Sequence, residues 1–251
     1  MVCQYRLFSK KYSVSWNKVK QVLVKNNVQI ISKRNQYSID IKMREDIFEK
    51  IDSSEKAYWL GLLYADGYVR KDRNEIGLTL QEKDKETVQF FHDFCGISND
   101  IRKHTIKRKG KEYISYDCTF SNKKIKSDLV NLGCVAQKSL ILTFPTKEQV
   151  PDAFLHDFIR GYIDGDGYVQ FDKTKSRYRI IILGTKDFLE GLVKRTGWNK
   201  SYYIRKQQNQ KVYTLEFSKK QLVQNKLKLL YENSIQHLDR KYQIYLTSLG
   251  E

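Results

Sequence analysis

The chain has 251 residues, 40% of them apolar, and its 46 Lys and Arg outnumber 29 Asp and Glu for a formal net charge of +17. That composition supports a sizeable buried core and excludes a disordered basic tail. No stretch reaches the ~18 apolar residues of a membrane span, or the apolar block of a secretory signal, so a soluble intracellular protein is expected.

Cys3, Cys95, Cys118 and Cys134 are scattered without a C-x-x-C pair. They are expected as reduced thiols, neither a disulfide framework nor a zinc site. The excess positive charge is spread along the whole chain, which points to a broad basic surface and a polyanionic partner. Nucleic acid is favoured over an anionic membrane, because no basic amphipathic helix carries an aromatic apolar face.

In chain order, residues 1–56 stand apart from the rest of the chain. Within them SVSWNKVKQVLVKNN (13–27) reads as a basic helix with Val14, Val19, Val22 and Leu23 on one stripe, a possible helix-turn-helix-like appendage. AYWLGLLYADG (57–67) then forms a helix that is apolar nearly all round and therefore buried. After it come a strand-like EIGLTLQ (75–81), a helical DKETVQFFHDFCG (84–96), a hairpin-like IRKHTIK and YISYDCTFS around KGK (109–111), and a helical KKIKSDLVNLG. The same order returns about 100 residues later: DFIRGYIDGDGYV (157–169), YRIIILG (178–184), KDFLEGLVKRTG (186–197), a second hairpin-like pair around residues 209–210, and KKQLVQNKLKLLYEN.

The chain is thus expected to be an α+β duplication of αββαββα units related by a pseudo-twofold axis. Its expected parts are residues 1–56, a first repeat at 57–152 and a second at 153–251. Within the strands the alternation is one-sided. Ile114, Tyr116, Cys118 and Phe120 alternate with Tyr113, Ser115, Asp117, Thr119 and Ser121, as Ile180 and Ile182 alternate with Arg177, Arg179 and Ile181. Two antiparallel sheets are expected, each covered by helices on one face and carrying a polar, basic surface on the other. Such a surface suits a DNA major groove.

Gly61 and Ala65, and in the second copy Gly161 and Gly165, lie four residues apart on one helix face. Small residues there let two helix backbones approach closely, so the two helices are expected to pair. Each ends in Asp-Gly, with the Gly expected to take a left-handed terminating conformation. The acids, Asp66 and Asp166, are electrostatically out of place: a helix C-terminus carries partial negative charge, and parallel pairing adds like-charge repulsion. A divalent metal explains both, and Mg²⁺ suits one or two carboxylates completed by water and phosphate oxygens. A calcium-loop assignment of 164–167 fails, because Tyr168 and Val169 stand where an oxygen ligand and a glycine are required.

WLGLLYADG (59–67) and IRGYIDGDG (159–167) resemble the two signature motifs of single-chain LAGLIDADG homing endonucleases, and the likeness covers residues 57–245. The resemblance implies saddle-shaped sheets lying along DNA. It also implies metal held by Asp66 and Asp166 with help from the Ala65 and Gly165 carbonyls, and a basic residue beside each metal site, here Lys138 and Lys241. Cleavage of both strands across the minor groove to leave 3′ overhangs is implied too, by a monomer without an obligate protein partner. Mn²⁺ is expected to substitute for Mg²⁺, and Ca²⁺ to support binding without cleavage. Tyr64 replaces an acidic motif residue that Asp164 retains; neither is expected to bind metal.

DNA contacts are expected from Tyr68, Arg70, Lys103, Tyr168, Gln170, Arg177, Arg179, Arg205 and Gln207. The loop residues Lys107, Arg108, Lys109 and Lys111 are expected on phosphates. An RNA-binding maturase and a non-cleaving DNA-binding regulator on the same scaffold remain as alternatives. A free-standing or intron-encoded enzyme is expected over an intein.

Overall fold

The structure is a computed structural model and describes residues 43–172, 177–198, 203–206 and 212–249, together with position 25. The helix expected at 13–27 and Gln207 lie outside the described residues. One compact unit runs Met43–Glu251, so it starts ahead of Ala57. Ile47, Phe48 and Ile51 are buried in its core.

Helix α1 spans Ser54–Ala65 and starts where the Ser53 side chain accepts a hydrogen bond from the Lys56 backbone N–H, an N-cap. It leads into β1 (Gly67–Val69), β2 (Glu75–Gln81), α2 (Lys85–Cys95), β3 (Arg102–Arg108), β4 (Lys111–Ser121) and α3 (Lys123–Asn131). The second copy is α4 (Leu155–Asp166), β5 (Gly167–Asp172), β6 (Arg177–Gly184), α5 (Lys186–Thr196), β7 (Tyr203–Lys206), β8 (Tyr213–Phe217) and α6 (Lys220–Tyr231). A last helix, α7 (Asp239–Leu249), was not expected from the sequence. Each repeat folds its four strands into an antiparallel sheet, ordered β1-β2-β4-β3 and β5-β6-β8-β7. The expected duplication and its element order are therefore present. Among the described residues no helix is long and apolar enough to cross a membrane.

Alternation decides which sheet face meets the helices. Ile76, Leu78 and Leu80 of β2, Cys118 and Phe120 of β4, and Tyr178, Ile180 and Ile182 of β6 are buried, while their neighbours face outward. At the β3–β4 turn, Lys109 and Gly110 both have positive φ, the two-residue geometry whose twist matches the flanking strands. Cys95, Cys118 and Cys134 are buried free thiols.

The core of the unit is the parallel pairing of α1 with α4. A Cβ on Gly61 would lie 2.0 Å from the Phe158 carbonyl oxygen, and one on Gly161 would lie 2.0 Å from that of Tyr58. The backbones meet at this pair of glycines, as the spacing anticipated. Lower down, Ala65 packs on Gly165.

Gly67 and Gly167 differ from expectation: neither has the left-handed φ of a helix-terminating glycine, and Gly167 is extended at φ −102° and ψ 155°. The requirement there is steric. The chain leaves the helix directly into a strand, so a Cβ would fall 2.8 Å from the Leu63 carbonyl oxygen at Gly67 and 2.4 Å from that of Ile163 at Gly167.

Asp164 is fully buried and structural. It accepts hydrogen bonds from the Tyr58 hydroxyl (3.0 Å) on the other motif helix, the Tyr231 hydroxyl (2.7 Å) and the Leu238 N–H (2.8 Å). Burial raises its pKa against these partners. In the first repeat Tyr64 occupies the matching place and its hydroxyl donates to the Leu132 carbonyl. Both side chains tie a motif helix to the chain that comes after its own repeat's last sheet helix. Asp164→Asn would set an amide donor among three donors and is expected to destabilise the unit by about 2–3 kcal/mol. Urea denaturation checks this; a change within 0.5 kcal/mol, a margin about that of a neutral surface substitution, would contradict it.

Candidate active site at the ends of the paired helices

Close pairing delivers the last turns of α1 and α4 to one place, between the two sheets. Gly165 has no side chain, and the Asp66 carboxylate takes up that room: a Cβ on Gly165 would lie 3.0 Å from Asp66 Oδ2. Asp166 follows one residue later, so two carboxylates from different repeats share one locality. The Asp66 pKa is pushed up to about 6, first by the protein mass behind the group and then by the charge of Asp166. Burial raises that of Asp166 as well. Lys138 and Lys241 oppose both shifts.

The two lysines occupy equivalent positions. Lys138, in a short 3-10 turn after α3, donates to the Gly67 carbonyl. Lys241, in the first turn of α7, donates to the Gly167 carbonyl at 2.7 Å. Their surroundings differ. Lys241 is 2% exposed and also donates to the carbonyls of Ile163 and Asp164, the latter at 2.8 Å. Its three N–H bonds are thereby used on the end of α4, and burial pushes its pKa down to about 8. Lys138 makes the single described bond to Gly67, leaving donors for another group. Its turn begins at Gln137, a non-glycine residue held at φ 57°, a conformation that clusters at functional sites.

The donor set suits a hard cation. Two carboxylates whose charges repel lie beside Ala65 and Gly165, carbonyls of final turns where no further helical N–H follows. Among the described residues no group of three or more His, Cys, Asp or Glu comes together as a ready-made cage. A cation here would complete its shell with water or phosphate, which is the habit of Mg²⁺.

The repulsion has a consequence for the metal-free protein. A carboxyl whose folded pKa of about 6 stands above its ordinary 3.8 weakens the fold when ionised. The penalty is absent below about pH 4 and complete above about pH 6.5. Asp66→Asn is therefore expected to stabilise the metal-free protein at pH 7.5 by about 1 kcal/mol, after allowance for solvent access. That is roughly 2–4 °C in Tm, with no gain at pH 4. Thermal melts in chelator at both pH values check this; equal Tm values at pH 7.5 would contradict it.

Strand register sorts the expected DNA contacts. Tyr68 and Arg70 extend from β1 on the outward face of the first sheet, with the Arg70 guanidinium 5.4 Å from the Tyr68 ring. Gln170 pairs with Arg179, Asp172 with Arg177, and Tyr168 with Ile181, all on the outward face of the second sheet. Register puts position 205 opposite Thr214 on the same side. The β3–β4 hairpin tip, with Lys107, Arg108, Lys109 and Lys111, is exposed.

Lys103 and Lys107 fall on the other face: Lys103 pairs with Tyr116, which packs against the core. The outward positions of β3 are Arg102, His104, Ile106 and Arg108, the first three of which sequence reasoning missed. Asp117, across from Arg102, accepts from Arg102 (3.3 Å), Thr119 (2.5 Å) and His104. All seven residues of β3 are exposed, so no apolar alternation set its phase.

Residues 153–246, the second repeat, match the LAGLIDADG-like domain model, and the fold of both repeats together is shared with solved homing endonucleases. The homing endonuclease I-WcaI, solved bound to its DNA recognition sequence, superposes with a TM-score of 0.53 at 13% identity, over 85% of this chain and 94% of that one. Meganuclease I-SmaMI, solved bound to uncleaveable DNA, gives 0.51 at 12% identity over 77% and 88%. A 147-residue stretch, 54% of this chain, is 26% identical to part of a probable translation initiation factor IF-2 of Methanocaldococcus jannaschii. This chain spans 11% of that protein's length.

Proposed function

We propose that the chain is a site-specific, Mg²⁺-dependent endonuclease that cuts both strands of a long asymmetric DNA site and leaves 3′ overhangs. The observation that carries this is the convergence of Asp66 and Asp166 at two helix C-termini, where both the helix ends and each other disfavour them. A site that maintains this cost is a site for a cation. Asp66 and Asp166 would hold divalent metal, with the Ala65 and Gly165 carbonyls beside them. Bound there, the metal supplies water activation and charge neutralisation at the scissile phosphate.

The chain's own residues do the rest. The outward sheet faces track the duplex on either side of the carboxylates, and the basic hairpin tip meets phosphates. Lys138, with free donors, faces the charge that builds up on one phosphate. Lys241 acts through α4, fixing the end of the helix that presents Asp166. Both carboxylates come from one chain, which supports a monomer. The same donor set would accept Mn²⁺, and Ca²⁺ would support binding without cutting.

Selection from a randomised duplex library tests this proposal, with Ca²⁺ present for binding and Mg²⁺ for cleavage. Recovery of one long site, cut in Mg²⁺ with staggered 3′ ends, is expected. Enrichment in Ca²⁺ with no Mg²⁺-dependent product would replace the enzyme with a DNA-binding regulator. Enrichment of structured RNA alone would favour a maturase.

A further inference from the structure

The two sheets present unlike surfaces at matching places. In the first, Tyr68 lies flat over β2: a Cβ on Gly77 would fall 2.5 Å from its ring. Its hydroxyl pairs with Thr119 Oγ1 at 2.8 Å, and Thr119 in turn donates to Asp117. Asp117, Thr119 and Tyr68 thus form a polar chain across this face that is closed on itself.

Register maps these positions onto the second sheet. Gly77 faces Tyr68, and Ile181 faces Tyr168. Thr79 faces Asp117, and Leu183 faces Thr214. Ile181 fills the space that Gly77 leaves open, so Tyr168 has no bare backbone to lie on and is 53% exposed; Leu183 is 37% exposed. Tyr168, Ile181 and Leu183 make an apolar strip on an otherwise polar surface. The strip flanks Ile182, which pairs with Gly167, the residue after Asp166. It therefore adjoins the carboxylate of its own repeat, and Arg179, opposite Gln170, continues the same face outward.

We propose that this strip reads thymine. On the reading of the chain as a DNA endonuclease, it packs against the 5-methyl groups of the base pairs nearest the cut in one half of the target, while the first sheet presents the closed polar chain at the matching place. Thymine alone offers a methyl group in the major groove. The other base edges there are donors and acceptors, which an apolar side chain desolvates without satisfying. Arg179 is ion-paired with Glu216, which stands opposite Ile181, and it is the net charge of +17 on the chain that makes DNA the occupant rather than an apolar protein surface. The two halves of the target then differ chemically: one is thymine-dependent next to the cut, and its counterpart is not.

The test uses the full-length protein and a duplex selected in Ca²⁺, with thymidine replaced by deoxyuridine one position at a time. That exchange removes only the methyl group. Binding should weaken about fourfold per contacted methyl, the factor for one methyl-sized apolar group leaving water. The losses should cluster in one half-site beside the cut, and Ile181→Ala with Leu183→Ala should abolish them. Uridine tolerated at every position, or losses unchanged in the variant, would overturn the inference. The uridine scan on the unmodified protein decides the matter even if the variant misfolds. A duplex that binds but is blind to the methyl groups sinks this inference alone; failure to select any duplex sinks the DNA reading and this inference with it.

Discussion

Gly61→Ala and Gly161→Ala are each expected to cost the unit at least about 3 kcal/mol, or roughly 6–12 °C in Tm. The new methyl group would meet a carbonyl oxygen of the facing helix at 2.0 Å, and nothing at that contact is a flexible side chain that can swing away. In an isolated helix the same substitution would help, by about 1 kcal/mol. The sign of the measured change therefore separates intrinsic propensity from helix contact. The separation also matters for chemistry, because pushing α1 and α4 apart moves Asp66 away from Asp166. Thermal melts check this; a Tm unchanged or raised in either variant would mean that the helices do not meet at these glycines.

The second large effect concerns the lysines, which symmetry makes equivalent and burial does not. Lys241→Ala would take the lysine donor from the carbonyls of Asp164 and Gly167, and from that of Ile163, which keeps the Gly167 N–H. Each stranded buried acceptor costs about 1–3 kcal/mol before relaxation and water entry. The variant is expected to lose about 3 kcal/mol of stability. Lys138→Ala gives up one bond that is only partly buried, where water can take the lysine's place, so its Tm should move by about 2 °C or less. Its cleavage rate should fall about 100-fold, the scale for one electrostatic contact to a developing oxyanion. Melting curves and single-turnover cleavage of a nicked-circle substrate distinguish the two. Equal rate losses with unchanged stability in both variants would contradict the division of roles.

Much of this was legible in the sequence because it rests on short-range rules. The matched small residues at 61, 65, 161 and 165 mark a face where backbones touch, and an acid at a helix C-terminus is out of place on its own terms. The strand alternation at 114–120 and 178–182 fixed which face is core. What stayed hidden depended on tertiary surroundings. Strand β3 projects beyond the core and carries no apolar period, so Lys103 was assigned to a face that Arg102, His104, Ile106 and Arg108 occupy. Gly67 and Gly167 looked like left-handed caps because a glycine after a helix usually is one. Here the requirement is room beside the last helical carbonyls. The burial of Lys241 required knowledge of where α7 returns, and the contrast between Gly77 and Ile181 means nothing until register places each opposite a tyrosine.

Asp66 and Asp166 are proposed to make one metal-dependent cutting centre together. Its most direct test is single-turnover cleavage of the selected duplex, labelled on both strands, in Mg²⁺ by the unmodified protein and by the Asp66→Asn/Asp166→Asn variant. Two staggered breaks are expected with the unmodified protein, none with the variant, and Ca²⁺-supported binding by the unmodified protein without breaks. The variant should remain folded, with a Tm in chelator no lower than that of the unmodified protein. Cleavage that persists in the folded variant would show that the carboxylates are not the centre.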